Sequence, residues 1–136
     1  MYEFFDHTAD LGLRVEAATR EELFAEAARG LTAMIVDDPA SIRPRDRERL
    51  SVAGTDPVYL LFDWLNELLY RFESRRMLYR EFDVRIGDSG LTAELAGEPY
   101  DPARHPLQHE VKAITYHRLV LEPRGDRWFA EAVVDI

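Results

Sequence analysis

The chain has 136 residues, a formal net charge of −9, 46% hydrophobic residues and no cysteine. This length suits one domain around one core, and the composition is that of a folded chain rather than a disordered one. The missing cysteine excludes disulfides, thiolate zinc sites and thiol nucleophiles, and the negative charge argues against broad contact with a nucleic-acid backbone, which needs Lys and Arg. The acids suit a cation site, a basic protein partner or simply a solubilising surface. Met1 runs straight into Tyr2-Glu3-Phe4 with no basic start or long apolar run. The expectation is therefore a cytoplasmic protein without signal peptide or membrane span.

Residues 5–13, Phe-Asp-His-Thr-Ala-Asp-Leu-Gly-Leu, read as an acid-rich loop holding Asp6, His7 and Asp10. Residues 12–17 alternate apolar and polar, which predicts a strand. Thr19 followed by Glu22 is a capping box, and Leu23, Ala27, Leu31 and Met34/Ile35 repeat at helical spacing up to about Val36, where Asp37-Asp38-Pro39 stops the helix. The arginine run over 41–49 is interleaved with acid and reads as a solvated loop or strand edge. Leu50 and Val52 suggest a short strand. Asp56-Pro57 starts a second helix. Its stripe of Val58, Leu61, Leu65, Leu68/Leu69 and Phe72, widened by Trp64, predicts a largely buried element, with Glu67 and Arg71 paired on its wet face.

From Met77 the pattern changes. Residues 82–86 and 91–95 form a predicted hairpin around Gly87-Asp88-Ser89-Gly90. A loop rich in Pro and His spans 98–109. A second hairpin runs over 114–121 and returns through Trp128 to Ile136. Hairpin-turn chemistry accounts for the Arg124-Gly125-Asp126 triplet. The predicted fold is α+β: one domain over 1–136, a two-layer sandwich of two amphipathic helices on a largely antiparallel or mixed sheet.

No phosphate-cradling glycine loop, zinc helix or nucleophile elbow is present, and none of the four serines stands beside a histidine. Three polar clusters remain. The first is Asp6, His7 and Asp10. The second runs from Glu98 through Asp101, His105, His109, Glu110 and Lys112 to Tyr116 and His117. The third is Asp135 with Ile136. If Asp10, Asp135 and the terminal carboxylate converge, each like-charge pair costs on the order of 4 kcal/mol at about 4 Å and an effective dielectric of about 20. A bound cation, a nearby base or protonation would relieve it. All-oxygen donors favour a hard cation such as Ca²⁺ or Mg²⁺. The alternative is that Asp6 or Asp10 caps a turn and Asp135 faces solvent. The chain has 16 Arg but one Lys, Lys112. A compact ammonium with a shiftable pKa is not replaceable by Arg in every role.

Four stretches occur together and in order: "DHTADLG", "LLFDWLNELLY", "GEPYDPARHPLQHEVKAITYH" and "FAEAVVDI". Over residues 3–136 the chain resembles archease. The resemblance implies a protein cofactor, not an enzyme, for the RtcB-type tRNA-splicing RNA ligase. That ligase joins a 3′-phosphate or 2′,3′-cyclic phosphate end to a 5′-hydroxyl end through a guanylylated histidine of its own. Archeases promote guanylylation and multiple turnover, and meet RNA only through the ligase. The family's metal positions fall on Asp10, Asp135 and the main chain of Ile136. The expected ion is divalent, Ca²⁺ first, with Mg²⁺ or Mn²⁺ as alternatives. An activating lysine matches Lys112, and Asp6, His7, Glu98, His109 and His117 are expected in support. The pathway is tRNA splicing or RNA repair. Two other readings stay open: a metal-dependent phosphohydrolase using the carboxylates with His7 or His109 as base, and a chaperone or scaffold without a metal role.

Overall fold

The computed structural model describes residues 1–7 and 10–136, and of His7 the backbone alone. Thr19 accepts a hydrogen bond from the Glu22 N–H at 3.1 Å, and α1 (Arg20–Ile35) begins beside it. Such a cap is worth about 1 kcal/mol. Asp56 caps α2 (Pro57–Arg75) in the same way, accepting from the Val58 N–H at 2.9 Å. The apolar stripes of both helices are buried as predicted, except that Val58 at the start of α2 is only half-buried. The Trp64 indole N–H donates to the Phe24 carbonyl at 2.9 Å, joining α2 to α1. Trp64 is thus a core residue whose one polar atom is satisfied.

Around the helices run β1 (Tyr2–His7), β2 (Asp10–Ala17), β3 (Asp46–Ala53), β4 (Met77–Gly87), β5 (Gly90–Pro99), β6 (Ala113–Arg124) and β7 (Arg127–Asp135), with a 3-10 turn at Pro39–Ser41. The α+β sandwich is present, but its strands form two sheets rather than one. They order as β1-β2-β7-β6 and β3-β5-β4, and every described pairing is antiparallel. Each helix bridges the two: α1 packs on β2 and β4, and α2 on β6, β3 and β4. No helix among the described residues is long and apolar enough to cross a membrane.

Two expectations are corrected here. Residues 5–7 are not loop but the end of β1, because Phe5, Asp6 and His7 pair with Gly12, Leu11 and Asp10. Arg71 is not on a wet face. Its guanidinium lies against Glu48 at 2.8 Å and only loosely against Glu67 at 3.5 Å. Burial against β3 gives it a better partner than the helix can supply.

β4 bulges at Arg80, since Tyr79 pairs with Gly97 while Glu81 pairs with the next residue, Ala96. The bulge drives the β4 backbone onto Gly97. A Cβ there would overlap the Leu78 carbonyl oxygen and stand 2.6 Å from the Tyr79 Cα. Neither is the mobile end of a side chain. Gly97→Ala is expected to cost about 2–3 kcal/mol or more, measured by urea unfolding; an unchanged midpoint would show that the bulge relaxes freely.

Candidate functional site

β2 and β7 pair so that Asp10 stands opposite Asp135. β6 places Ala113 opposite Asp135 from the other side, and the Lys112 N–H donates to the Asp135 carbonyl at 2.8 Å. Directly opposed residues put their side chains on one face of the sheet, with Cβ atoms about 4.5–5.5 Å apart. Three motifs distant in the chain therefore end in a single row. Ile136 follows Asp135 with its side chain packed on the core, which keeps its main chain beside the pair. Four residues along β2 the sheet solves a similar problem differently. There Arg14 lies between Glu3 and Glu131, at 3.0 and 2.9 Å, so acid and base alternate. At Asp10 and Asp135 the register sets two acids side by side.

Gly12, the glycine of the first motif, positions this row. It pairs with Phe5, whose ring occupies the space a Cβ would need. The ring covers the bare backbone and holds β1 alongside Asp10. Asp6 pairs with Leu11, so its side chain leaves on the opposite face from Asp10. The His7 backbone pairs with Asp10. The His7 side chain, and the expectation placed on it, lie outside the described residues.

The structure does not bring Glu98 to this row. Glu98 belongs to β5, not to a loop, and is buried. Arg104 donates to both of its oxygens, at 2.9 and 2.8 Å, and the Arg43 N–H donates at 2.8 Å. The fully buried His105 completes the node. Its Nδ1 accepts the Asp101 N–H at 2.9 Å, and its Nε2 lies 3.0 Å from Glu98. An accepting Nδ1 makes Nε2 the protonated nitrogen, so the neutral ring is satisfied at both ends. The Arg104 guanidinium first, with the Arg43 N–H and His105, holds the Glu98 carboxyl down at about 2 against the cost of burial.

From this node the chain returns to the row along the end of α1. The Asp37 N–H donates to Pro106 O at 2.9 Å, and the Gln108 and His109 N–H groups donate to Ile35 and Met34 carbonyls at 2.9 and 3.0 Å. Those carbonyls belong to the last turn of α1 and have no partner within the helix. Their capping by 108 and 109, with the Val36–Leu107 bridge, aims the segment at Asp135. His109 lines a cleft of about 640 Å³ that also contains Lys112. Lys112 is exposed and borders a second cleft of about 610 Å³ on its other side. His117 lies in the irregular stretch of β6 between Thr115 and Val120. Four residues past Ala113, it is roughly 13 Å along the strand from the Asp10–Asp135 row. Sequence reasoning passed over Tyr59, whose ring stacks on that of Tyr116 in this stretch with centroids 5.1 Å apart. The position of Tyr59 on the polar side of α2, off the apolar stripe, was the available signal.

Among the described residues no three His, Cys, Asp or Glu side chains gather as a metal site. The opposed carboxylates of Asp10 and Asp135 offer oxygen donors only, which suits a hard cation. Two carboxylates are too few for Ca²⁺ by themselves, so main-chain oxygen, such as that of Ile136, and water would complete the shell.

The family model of the archease protein family (MTH1598/TM1083) matches residues 2–136. "Protein archease" of Methanopyrus kandleri is 42% identical over 139 residues, covering 99% of each chain. That of Methanosarcina barkeri is 39% identical, covering 99% of this chain and 95% of its own. The solution structure of Methanobacterium thermoautotrophicum protein 1598 superposes with a TM-score of 0.86 at 29% identity, covering 99% of this chain and 98% of that one. A crystal structure described as an archease, possible chaperone, from Thermotoga maritima shares the fold, with a TM-score of 0.67 at 23% identity over 100% of this chain and 98% of that one. The whole-length match, with the three motifs meeting in one row, places this chain in the archease family.

Proposed function

We propose that this protein activates an RtcB-type RNA ligase, promoting guanylylation of the ligase histidine and multiple turnover, in tRNA splicing or RNA repair. The observation that supports this reading is the convergence of Asp10, Asp135 and Lys112 at one end of one sheet. A divalent cation, Ca²⁺ in the first instance, would be held by the Asp10 and Asp135 carboxylates and the Ile136 main chain. When bound it supplies positive charge beside Lys112. The Asp135 carbonyl anchors the Lys112 backbone, while the exposed side chain is free to reach a phosphate on a partner. Its ammonium would offset phosphate charge that builds as the guanylyl group is transferred. With its net charge of −9, the chain suits a basic ligase surface better than bare RNA.

RNA ligation by the cognate ligase, at single and multiple turnover, tests this directly. Adding the protein is expected to raise both the guanylylation rate and the number of turnovers. An unchanged rate and turnover number would overturn the reading, and phosphoester turnover by the protein alone would replace it with the phosphohydrolase alternative. Lys112→Arg, with its fold verified by circular dichroism, is expected to lose at least about tenfold of the activation, because a planar guanidinium does not reproduce a compact point charge. Full activation by Lys112→Arg would remove the point-charge role.

A further inference from the structure

The polar side of α2 lies open between the two sheets. β3 is an edge of one sheet and β6 an edge of the other. The 610 Å³ cleft runs between them, with residues 51–53 of β3 on one side, Lys112 and the start of β6 at Ala113 on the other and α2 as its floor. The β3 backbone faces this cleft with unused hydrogen-bonding groups. Arg71 Nη2 of α2 reaches the Arg49 carbonyl at 3.5 Å, so Arg49 turns its backbone away from β5. The Val52 carbonyl, by contrast, lies against Gly90 of β5. Backbone direction alternates along a strand, so Ser51 and Ala53, like Arg49, present their N–H and C=O groups to the cleft. Arg71 closes this row at Arg49, and beyond it the edge is open.

The floor is acidic and aromatic. Asp63 and Glu73 line the cleft and form no ion pair with any described residue. Tyr70, which also lines the cleft, stands 61% exposed between them along the helix. Carboxylates beside tyrosine faces recognise lysine and arginine through charge-assisted hydrogen bonds and cation–π contact. They repel phosphate, and they repel a second copy of this acidic chain.

We propose that this cleft docks an extended lysine- or arginine-bearing segment of the ligase, which adds to β3 as a strand and sets its cations over Asp63 and Glu73. The inference rests on the ligase reading above. Strand addition supplies main-chain hydrogen bonds and the acidic floor selects side chains. Lys112 forms the far rim, so a segment seated here lies next to the Asp10–Asp135 row.

Hydrogen exchange of the full chain with and without the purified cognate ligase reads the edge directly. The Ser51 and Ala53 amides are expected to slow on complex formation. Ser51→Pro removes an N–H that the β3–β5 ladder does not use, so the fold should survive, while ligase affinity drops at least tenfold. The double variant Asp63→Lys, Glu73→Lys is expected to lose at least tenfold and most of the salt dependence of binding. If the wild-type protein binds the ligase but exchange at Ser51 and Ala53 is unchanged and both variants bind equally well, the docking site is wrong and the activator reading stands. A wild-type protein that neither binds nor activates the ligase overturns the activator reading and this partner with it. Self-association abolished by Ser51→Pro would overturn the proposal in favour of a second copy.

Discussion

Replacing Glu98 with alanine is expected to destabilise the fold by about 3–5 kcal/mol, seen as a lower urea midpoint with unchanged slope. The reason is what the substitution strands. Arg104 loses both carboxylate oxygens, the Arg43 N–H loses its acceptor, and the fully buried His105 loses the partner of its Nε2. The His105 Nε2 is then fully buried without a partner, while the part-exposed Arg104 keeps only its bond to the Ser41 carbonyl, and stranding such groups costs more than the intact contacts contribute. Glu98→Gln isolates the charge. The Glu98 carboxyl lies at about 2, depressed from the ordinary 4.5. A depressed folded-state pKa contributes stability that is present above the unfolded value and lost as pH falls toward the folded one. That contribution, on the order of 3 kcal/mol, should therefore be complete above about pH 5 and disappear between about pH 4.5 and 2. Glu98→Gln should flatten this acid limb of the stability curve. An acid limb identical in both proteins would show that some other group governs it.

Asp135→Asn and Asp10→Asn are each expected to weaken Ca²⁺ binding at least tenfold and to abolish most ligase activation. The two carboxylates are cross-strand neighbours on adjacent strands, so neither can be spared from a shared ion. Stability separates this from a structural defect. In ion-free buffer, Asp135→Asn should be neutral or stabilising by up to about 1 kcal/mol, because it removes a like charge directly opposite Asp10. In Ca²⁺ at about a hundred times the dissociation constant, the wild-type protein should gain about 2.7 kcal/mol that the variant does not. The order of the two melting temperatures should then reverse on adding the ion. Equal responses to Ca²⁺ in both proteins would remove the cation from this row and leave Lys112 as its functional group.

The two helices and both long hairpins were legible in the sequence because their determinants are local. The Thr19 and Asp56 caps, the spacing of Leu23 to Ile35, and the Asp88-Ser89 and Gly125-Asp126 turns act within a few residues. β1 was not legible. Tyr-Glu-Phe-Phe-Asp-His does not alternate cleanly, and it becomes a strand by pairing with β2 at the edge of a sheet. The division into two sheets was hidden for the same reason. Which strand lies beside which depends on packing against α1 and α2, and no local pattern encodes it.

The candidate site divides along the same line. The choice of Asp10, Asp135 and Lys112 came from the resemblance to archease; residue chemistry alone marked only three polar clusters and the one lysine among arginines. It could not separate them from Glu98, whose sequence neighbourhood is equally polar. Register decided that. The antiparallel pairing of β2 with β7 and of β7 with β6 puts Asp10, Asp135 and the Lys112 backbone in one row. Burial, which a carboxylate survives only with partners, gave Glu98 to Arg104 and His105 instead. Side-chain type is a property of one position, and the sequence states it outright. Which side chains share a face is a property of strand pairing between the two ends of the chain, and only the folded sheets settle it.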